Sequence, residues 1–152
     1  MEDGSRLSQA EWESNIDALL EELRPELRCT PQAGLALKEP GLTRIFCCAG
    51  PYFALERQQF SQPQRFSFSS ARILSNLGEP FTVEANGVSV SVGRAESLLL
   101  PAALEEVTFR ERGEVLLGYV PDLAAEVQQP LQQAGYSETE IAALGDIHQT
   151  MR

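Results

Sequence analysis

Histidine is nearly absent from this chain of 152 residues: His148, close to the C-terminal end, stands alone. A zinc site built on several imidazoles and an ordered Ser-His-Asp relay are excluded on that ground. Cysteine is scarce as well. Cys29 stands apart while Cys47 and Cys48 are adjacent, so neither a disulfide framework nor a thiolate metal site follows, and packed thiols are the expectation. Basic residues are outnumbered, with 12 Lys and Arg against 22 Asp and Glu. The formal net charge of -10 repels phosphate backbones and anionic lipid surfaces, so nucleic acid and membrane are set aside as partners. No run approaches the roughly 18 apolar residues of a membrane span, and the first seven residues carry no basic stretch leading into an apolar one. The cytoplasm is the default location. Gly-rich phosphate loops and nucleotide fingerprints are missing too, and no cofactor is indicated.

What is present is a 43% hydrophobic composition with 22% charged residues, enough for one packed domain with helical attachments. Ser8 and Glu11 have the spacing of a capping box, and Trp12, Ile16, Leu19, Leu20, Leu23 and Leu27 recur at helical intervals, with Pro25 ending or kinking the helix and Leu27 packing in the exit segment. One face of that helix is apolar and needs a cover. Cys29 to Thr43, with Pro31, Gly34, Pro40 and Gly41, reads as a long loop and a domain boundary. From Arg44 the period becomes two. Candidate strands are 44–49, 52–60, 71–77, 81–85, 88–92, 97–100, 107–109 and 114–119, with dense turn signals between them. Asn86-Gly87 is the strongest of these signals, because both residues tolerate the positive φ of a type I′ hairpin. Val88, Val90 and Val92 are assigned to the core, with Ser89 and Ser91 outside. After Val120 the helical period returns: Asp122 caps a segment that Pro130 divides, Gly135 ends it, and Ser137 with Glu140 forms a second capping box before Gly145.

These features predict an all-β fold, a small jelly roll of about eight antiparallel strands, with an N-terminal helix and one or two short C-terminal helices. The expected division is residues 1–28 as the helical segment, 44–120 as the β domain and 121–152 as a helical extension and tail. Tyr52, Phe53, Phe60, Phe66, Phe68, Phe81, Phe109 and Tyr119 are assigned mostly to the β core.

For chemistry, Arg44, Arg57, Arg65, Arg72 and Arg94 are the cations a jelly roll could gather at one mouth, where they would attract an acidic or phosphorylated sugar. Surface pairing is the alternative. Glu56 and Arg57 are neighbours on one strand and so face opposite ways, with Glu56 toward the lumen if Arg57 points out. Glu56, Glu84, Glu105, Glu106 and Asp122 match no calcium-loop spacing and read as solvated surface charge.

The run Gly50-Pro51-Tyr52-Phe53-Ala54-Leu55-Glu56-Arg57 resembles the segment that opens the C-terminal cupin domain of the short type I mannose-6-phosphate isomerases. Ala95-Glu96-Ser97-Leu98-Leu99-Leu100-Pro101-Ala102-Ala103-Leu104-Glu105-Glu106 resembles their late strand and proline turn, where a glycine usually occupies the Ala95 position. The helix around Ile16 to Leu23 is similar to the one that joins the two cupins of that family, so the resemblance spans roughly residues 14–120. It implies a cupin-like domain whose last metal-ligand position matches Glu106 instead of a His. The metal ligands and catalytic Arg of the family lie in the first cupin or just after it, and the expectation is that this chain begins after them.

The resulting expectation has no catalytic residue, no metal ligand and no cofactor. Its candidate ligand-binding residues are Arg44, Glu56, Arg57, Arg72, Arg94 and Glu106. The function implied by the resemblance is a non-catalytic cupin domain of a mannose-6-phosphate isomerase-like protein, with a structural or substrate-screening role in sugar-phosphate metabolism. Its partners would be a sugar phosphate and a homo-oligomeric copy or a separate catalytic cupin. The alternative is an autonomous carbohydrate-binding or homo-oligomeric assembly module without enzyme activity.

Overall fold

A computed structural model of the chain describes residues 8–23, 33–104 and 106–145. The chain divides into two compact units, residues 1–31 and residues 32–152.

In the first unit α1 spans Gln9–Glu22. The Ser8–Glu11 capping box forms as the spacing predicts: the Ser8 backbone N–H donates to Glu11 Oε2 at 2.8 Å and the Glu11 N–H donates to Ser8 Oγ at 3.3 Å. Leu23 is the C-cap, so the helix stops just short of Pro25, whose ring disfavours helical geometry in the residue before it. Trp12, Ile16, Leu19, Leu20 and Leu23 are all exposed. Leu27 lies outside the described residues.

The second unit contains ten strands: β1 (Leu35–Glu39), β2 (Leu42–Gly50), β3 (Phe53–Phe60), β4 (Gln64–Ser67), β5 (Arg72–Asn76), β6 (Phe81–Ala85), β7 (Val88–Val92), β8 (Ser97–Leu100), β9 (Glu106–Phe109) and β10 (Gly113–Tyr119). Every pairing is antiparallel. A six-stranded sheet has the order β1-β2-β3-β10-β5-β8, and a four-stranded sheet the order β4-β9-β6-β7. The inward faces of the two sheets meet in a jelly-roll arrangement of the expected class.

Two of these strands are absent from the sequence reading. β1 lies inside the segment assigned to a loop, because Pro40 and Gly41, which read as loop punctuation, form a two-residue hairpin turn between Glu39 and Leu42. Gly41 has φ 77°, the value a Pro-Gly turn requires at its glycine. β4 is four residues long with Phe66 as its one apolar residue, too short to show a period. The Asn86-Gly87 turn forms as predicted, with φ 51° and 76°.

Alternation places Phe60, Phe81, Phe109, Val107, Val115 and Leu117 in the core, with Phe66 packed against it. Phe109 sits within 4.8–5.6 Å, centroid to centroid, of Phe60, Phe66 and Phe81. Four core assignments fail. Tyr52 and Phe53 are exposed, Tyr52 in the turn before β3 and Phe53 on the outward face of that strand. Val88 and Val90 are exposed although Val90 pairs with buried Val83, because β7 is an edge strand and only Val92 is covered. Cys47 and Cys48 do not simply alternate: the β2–β3 register shifts between Phe46 and Cys48, a bulge that returns Ala49 to the inward face.

The C-terminal segment begins with π-type turns over Leu123–Gln128, capped by the Asp122 side chain, and continues into α2 (Gln129–Gln133) with Pro130 in its first turn. After a turn, α3 (Glu138–Ala142) starts at the expected Ser137–Glu140 capping box. Val127, Leu131, Ile141 and Leu144 join the core. Leu144 C=O accepts from the Ala49 N–H at 3.1 Å. The Tyr136 hydroxyl accepts from the Ala36 N–H at 3.1 Å and donates to the Ala36 C=O at 3.0 Å, on the outer edge of β1. Among the described residues no helix is long and apolar enough to cross a membrane.

Asn76 is fully buried and organises two turns through its side chain, donating to Glu79 C=O and Val92 C=O and accepting from the Gly78 N–H. Its backbone C=O receives the Ala95 N–H. That bond holds Ala95 at φ 63°, a left-handed conformation in which a Cβ is strained. Ala95→Gly is expected to raise stability by about 1 kcal/mol, read as a higher urea midpoint with an unchanged slope.

Candidate functional site

The strand alternation that builds the core also carries polar residues inward on three adjacent strands. On β2 the inward series is Leu42, Arg44, Phe46; on β3 it is Ala54, Glu56, Gln58, Phe60; on β10 it is Val115, Leu117, Tyr119. Register then brings Arg44 beside Gln58, and Tyr119 beside both Ala54 and Arg72. The polar members converge at a mouth between the sheets, a cavity of about 350 Å³ also lined by Phe66, Phe68, Gln64 and Glu126.

Glu56 is the centre of this group and is only 1% exposed. Its Oε1 accepts from Arg44 Nε at 2.7 Å and from Gln58 Nε2 at 2.5 Å. Its Oε2 accepts from the second Arg44 nitrogen at 3.0 Å and from the Tyr119 hydroxyl at 3.1 Å. The carboxylate thus receives a two-pronged arginine and two further donors, close to its full acceptor capacity. Burial works against the charge on Arg44, but the bonds and charge of Glu56 outweigh it and hold the Arg44 pKa above its usual value. The Tyr119 phenol is pushed up strongly, first by burial and then by the negative charge of Glu56, against the opposing pull of Arg72 and Arg44.

Arg72 completes the mouth from β5. Its guanidinium lies 3.5 Å from the Tyr119 ring centroid and 5.1 Å from that of Phe68, and it is paired with Glu126 from the π-type turns. Two buried atoms at this site have no hydrogen-bond partner: Gln58 Oε1 and Arg72 Nε, on residues 3% and 6% exposed. The Gln58 orientation is fixed by chemistry, since a carboxylate oxygen at 2.5 Å requires the amide nitrogen on that side.

Of the ligand residues expected from sequence, Arg44, Glu56 and Arg72 meet in this mouth. Arg57 faces outward, as the alternation with Glu56 requires, and its Nε donates to Glu114 at 2.6 Å. Arg94 is exposed in the connection that crosses from β7 in one sheet to β8 in the other, and it does not line the mouth. Glu106 lies on β9 in the other sheet, paired with Arg65 at 3.5 Å, and borders a separate surface depression with Glu84 and Arg110. Gln58 and Glu126 were not singled out. Gln58 carries a usable signal, two residues from Glu56 on the same face, whereas Glu126 arrives through π-type winding that no simple period announces. Among the described residues no three His, Cys, Asp or Glu side chains group as a metal-ligand set, and His148 lies outside them.

Removing the carboxylate would leave Arg44 and Gln58 without their partner inside the mouth. Glu56→Ala is expected to cost about 3–5 kcal/mol in chemical denaturation. Glu114→Ala, which breaks the solvent-facing pair with Arg57, should cost less than about 1 kcal/mol. A raised phenol pKa favours the protonated native state. The Tyr119 contribution is therefore fully present below the unfolded value of 10.0 and is lost as pH rises beyond it. Ultraviolet titration of the three tyrosines should give one that ionises only with alkaline unfolding, and Tyr119→Phe should abolish that late component.

No protein-family model matches the sequence, and no curated protein matches it. Solved structures do resemble it. KdgF from Halomonas sp. superposes with a TM-score of 0.50 at 16% identity, over 57% of this chain and 86% of that one. A variant of Streptomyces PAC13 with uridine gives 0.52 at 14% identity, over 62% and 81%. The mannose 6-phosphate isomerase of Bacillus subtilis gives 0.54 at 13% identity, over 76% of this chain but 38% of that one. An RmlC-like cupin from Shewanella frigidimarina gives 0.52 at 12% identity, over 61% and 88%. At these identities the likeness is one of architecture alone. Two antiparallel sheets with a polar mouth between them, superposing on proteins of that architecture, give this chain the cupin fold.

Proposed function

We propose that the chain is a non-catalytic cupin domain that binds a small sugar-type ligand in its mouth, with a structural or substrate-screening role in a mannose-6-phosphate isomerase-like protein. The observation that carries the binding reading is that Gln58 and Arg72, which both line the cavity of about 350 Å³, each keep a buried side-chain atom without a partner, Gln58 Oε1 and Arg72 Nε. Leaving such atoms unmatched costs free energy, and a ligand whose entry turns these two side chains toward it recovers that cost. Stacked Phe66 and Phe68, with ring planes 8° apart, supply an apolar wall for the C–H face of a sugar ring.

The reading without turnover rests on the condition of Glu56. Interconverting an aldose and a ketose phosphate needs a base beside the carbonyl and a cation to hold the enediolate charge. Glu56 already receives four hydrogen bonds and is engaged as an acceptor rather than poised as a base. The link to an isomerase-like protein is supported by the runs Gly50–Arg57 and Ala95–Glu106. The positive φ of Ala95, where that family usually has glycine, adds to it.

Purified protein with added zinc is expected to give no mannose-6-phosphate isomerisation above background in a coupled assay. Activity proportional to protein concentration would overturn the non-catalytic reading. Sugar titration followed by NMR should shift the side-chain N–H signals of Gln58 and Arg72 saturably.

A further inference from the structure

Resting on that binding reading, we infer that the mouth takes an uncharged polyol, a free sugar or sugar alcohol, and rejects the phosphorylated form. The first reason is charge. Arg44, Arg65 and Arg72 line the mouth together with Glu39, Glu56 and Glu126, so positive and negative groups balance. The two inner arginines are already engaged by carboxylates, Arg44 by Glu56 and Arg72 by Glu126, while Arg65 stands at the exposed rim with Glu106 at 3.5 Å. A phosphate dianion that passes the solvent-screened rim meets no uncommitted cation inside and faces the Glu56 and Glu126 carboxylates, where repulsion is weakly screened.

The second reason is hydrogen-bond polarity. Arg72 Nε–H is a donor without an acceptor, and Gln58 Oε1 is an acceptor without a donor. A phosphate dianion can serve the first but has no hydrogen for the second, so polarity selects the hydroxyl-bearing face of a sugar for this pair and leaves the rejection of phosphate to charge. Hydroxyl groups do both: one accepts from Arg72 while another donates to Gln58. A polyol carries both roles with no net charge to compensate, and its C–H surface suits the ring of Phe68, which already stacks on Phe66 and lies against the Arg72 guanidinium.

The test is a calorimetric and NMR titration of the full chain with mannose, glucose, galactose and mannitol beside the 6-phosphates of the three hexoses. At least one uncharged probe should bind saturably, with shifts at the Gln58 and Arg72 side chains, and its phosphate should bind at least roughly tenfold more weakly at low salt. Raising the ionic strength should narrow that gap by screening the repulsion. Glu126→Gln removes one negative charge from the rim and releases Arg72 from its ion pair, and it too should narrow the gap between sugar and phosphate. A phosphate that binds as tightly as its parent sugar, or tighter, overturns this inference and leaves the binding reading standing. A gap that neither salt nor Glu126→Gln alters overturns it as well. No saturable signal from any probe overturns both.

Discussion

A carboxylate on the inward face of a central strand must be neutralised and bonded on every side, or the sheet-to-sheet packing around it fails. Glu56 is that carboxylate, and much of the mouth follows from it. Arg44 from one neighbouring strand, Tyr119 from the other and Gln58 from two residues further along its own strand all turn inward to meet its oxygens. With so many polar groups pointing in, this part of the lumen stays polar while the phenylalanine cluster fills the rest. Arg72 is drawn into the same arrangement through the Tyr119 ring, and Glu126 then fixes the C-terminal segment to the rim.

Much of the scaffold is legible in the sequence because its signals are local. The Asn86-Gly87 turn, the two serine capping boxes, the Asp122 cap and the alternation of β3 and β10 each arise within a few residues, and each forms as read. β1 escapes notice because a Pro-Gly pair has the same composition in a hairpin as in a loop. Val88 and Val90 mislead because alternation tells which face a residue occupies but not whether anything covers that face. An edge strand keeps the pattern and loses the cover.

The mouth was half legible for a related reason. Glu56 and Arg57 divide between lumen and surface by simple parity, but the meeting of Arg44, Arg72 and Glu126 depends on which strands become neighbours. That is a property of sheet order, with β10 from the end of the domain inserted between β3 and β5. The same sheet order removes Arg94 and Glu106 from the group. Fold likeness to proteins as different as a nucleoside dehydratase and a sugar-phosphate isomerase carries no chemistry across, so the side chains in this mouth have to speak for their own ligand.

The Tyr136 hydroxyl on the outer edge of β1 bonds to both backbone groups of Ala36, as an adjoining strand would. A phenol contributed from beyond α2 thereby acts as a one-residue surrogate neighbour. It blocks that margin of the six-stranded sheet against the backbone zippering that turns open edges into aggregates. Growth of the six-stranded sheet by strand addition is thus hindered where β1 ends the layer.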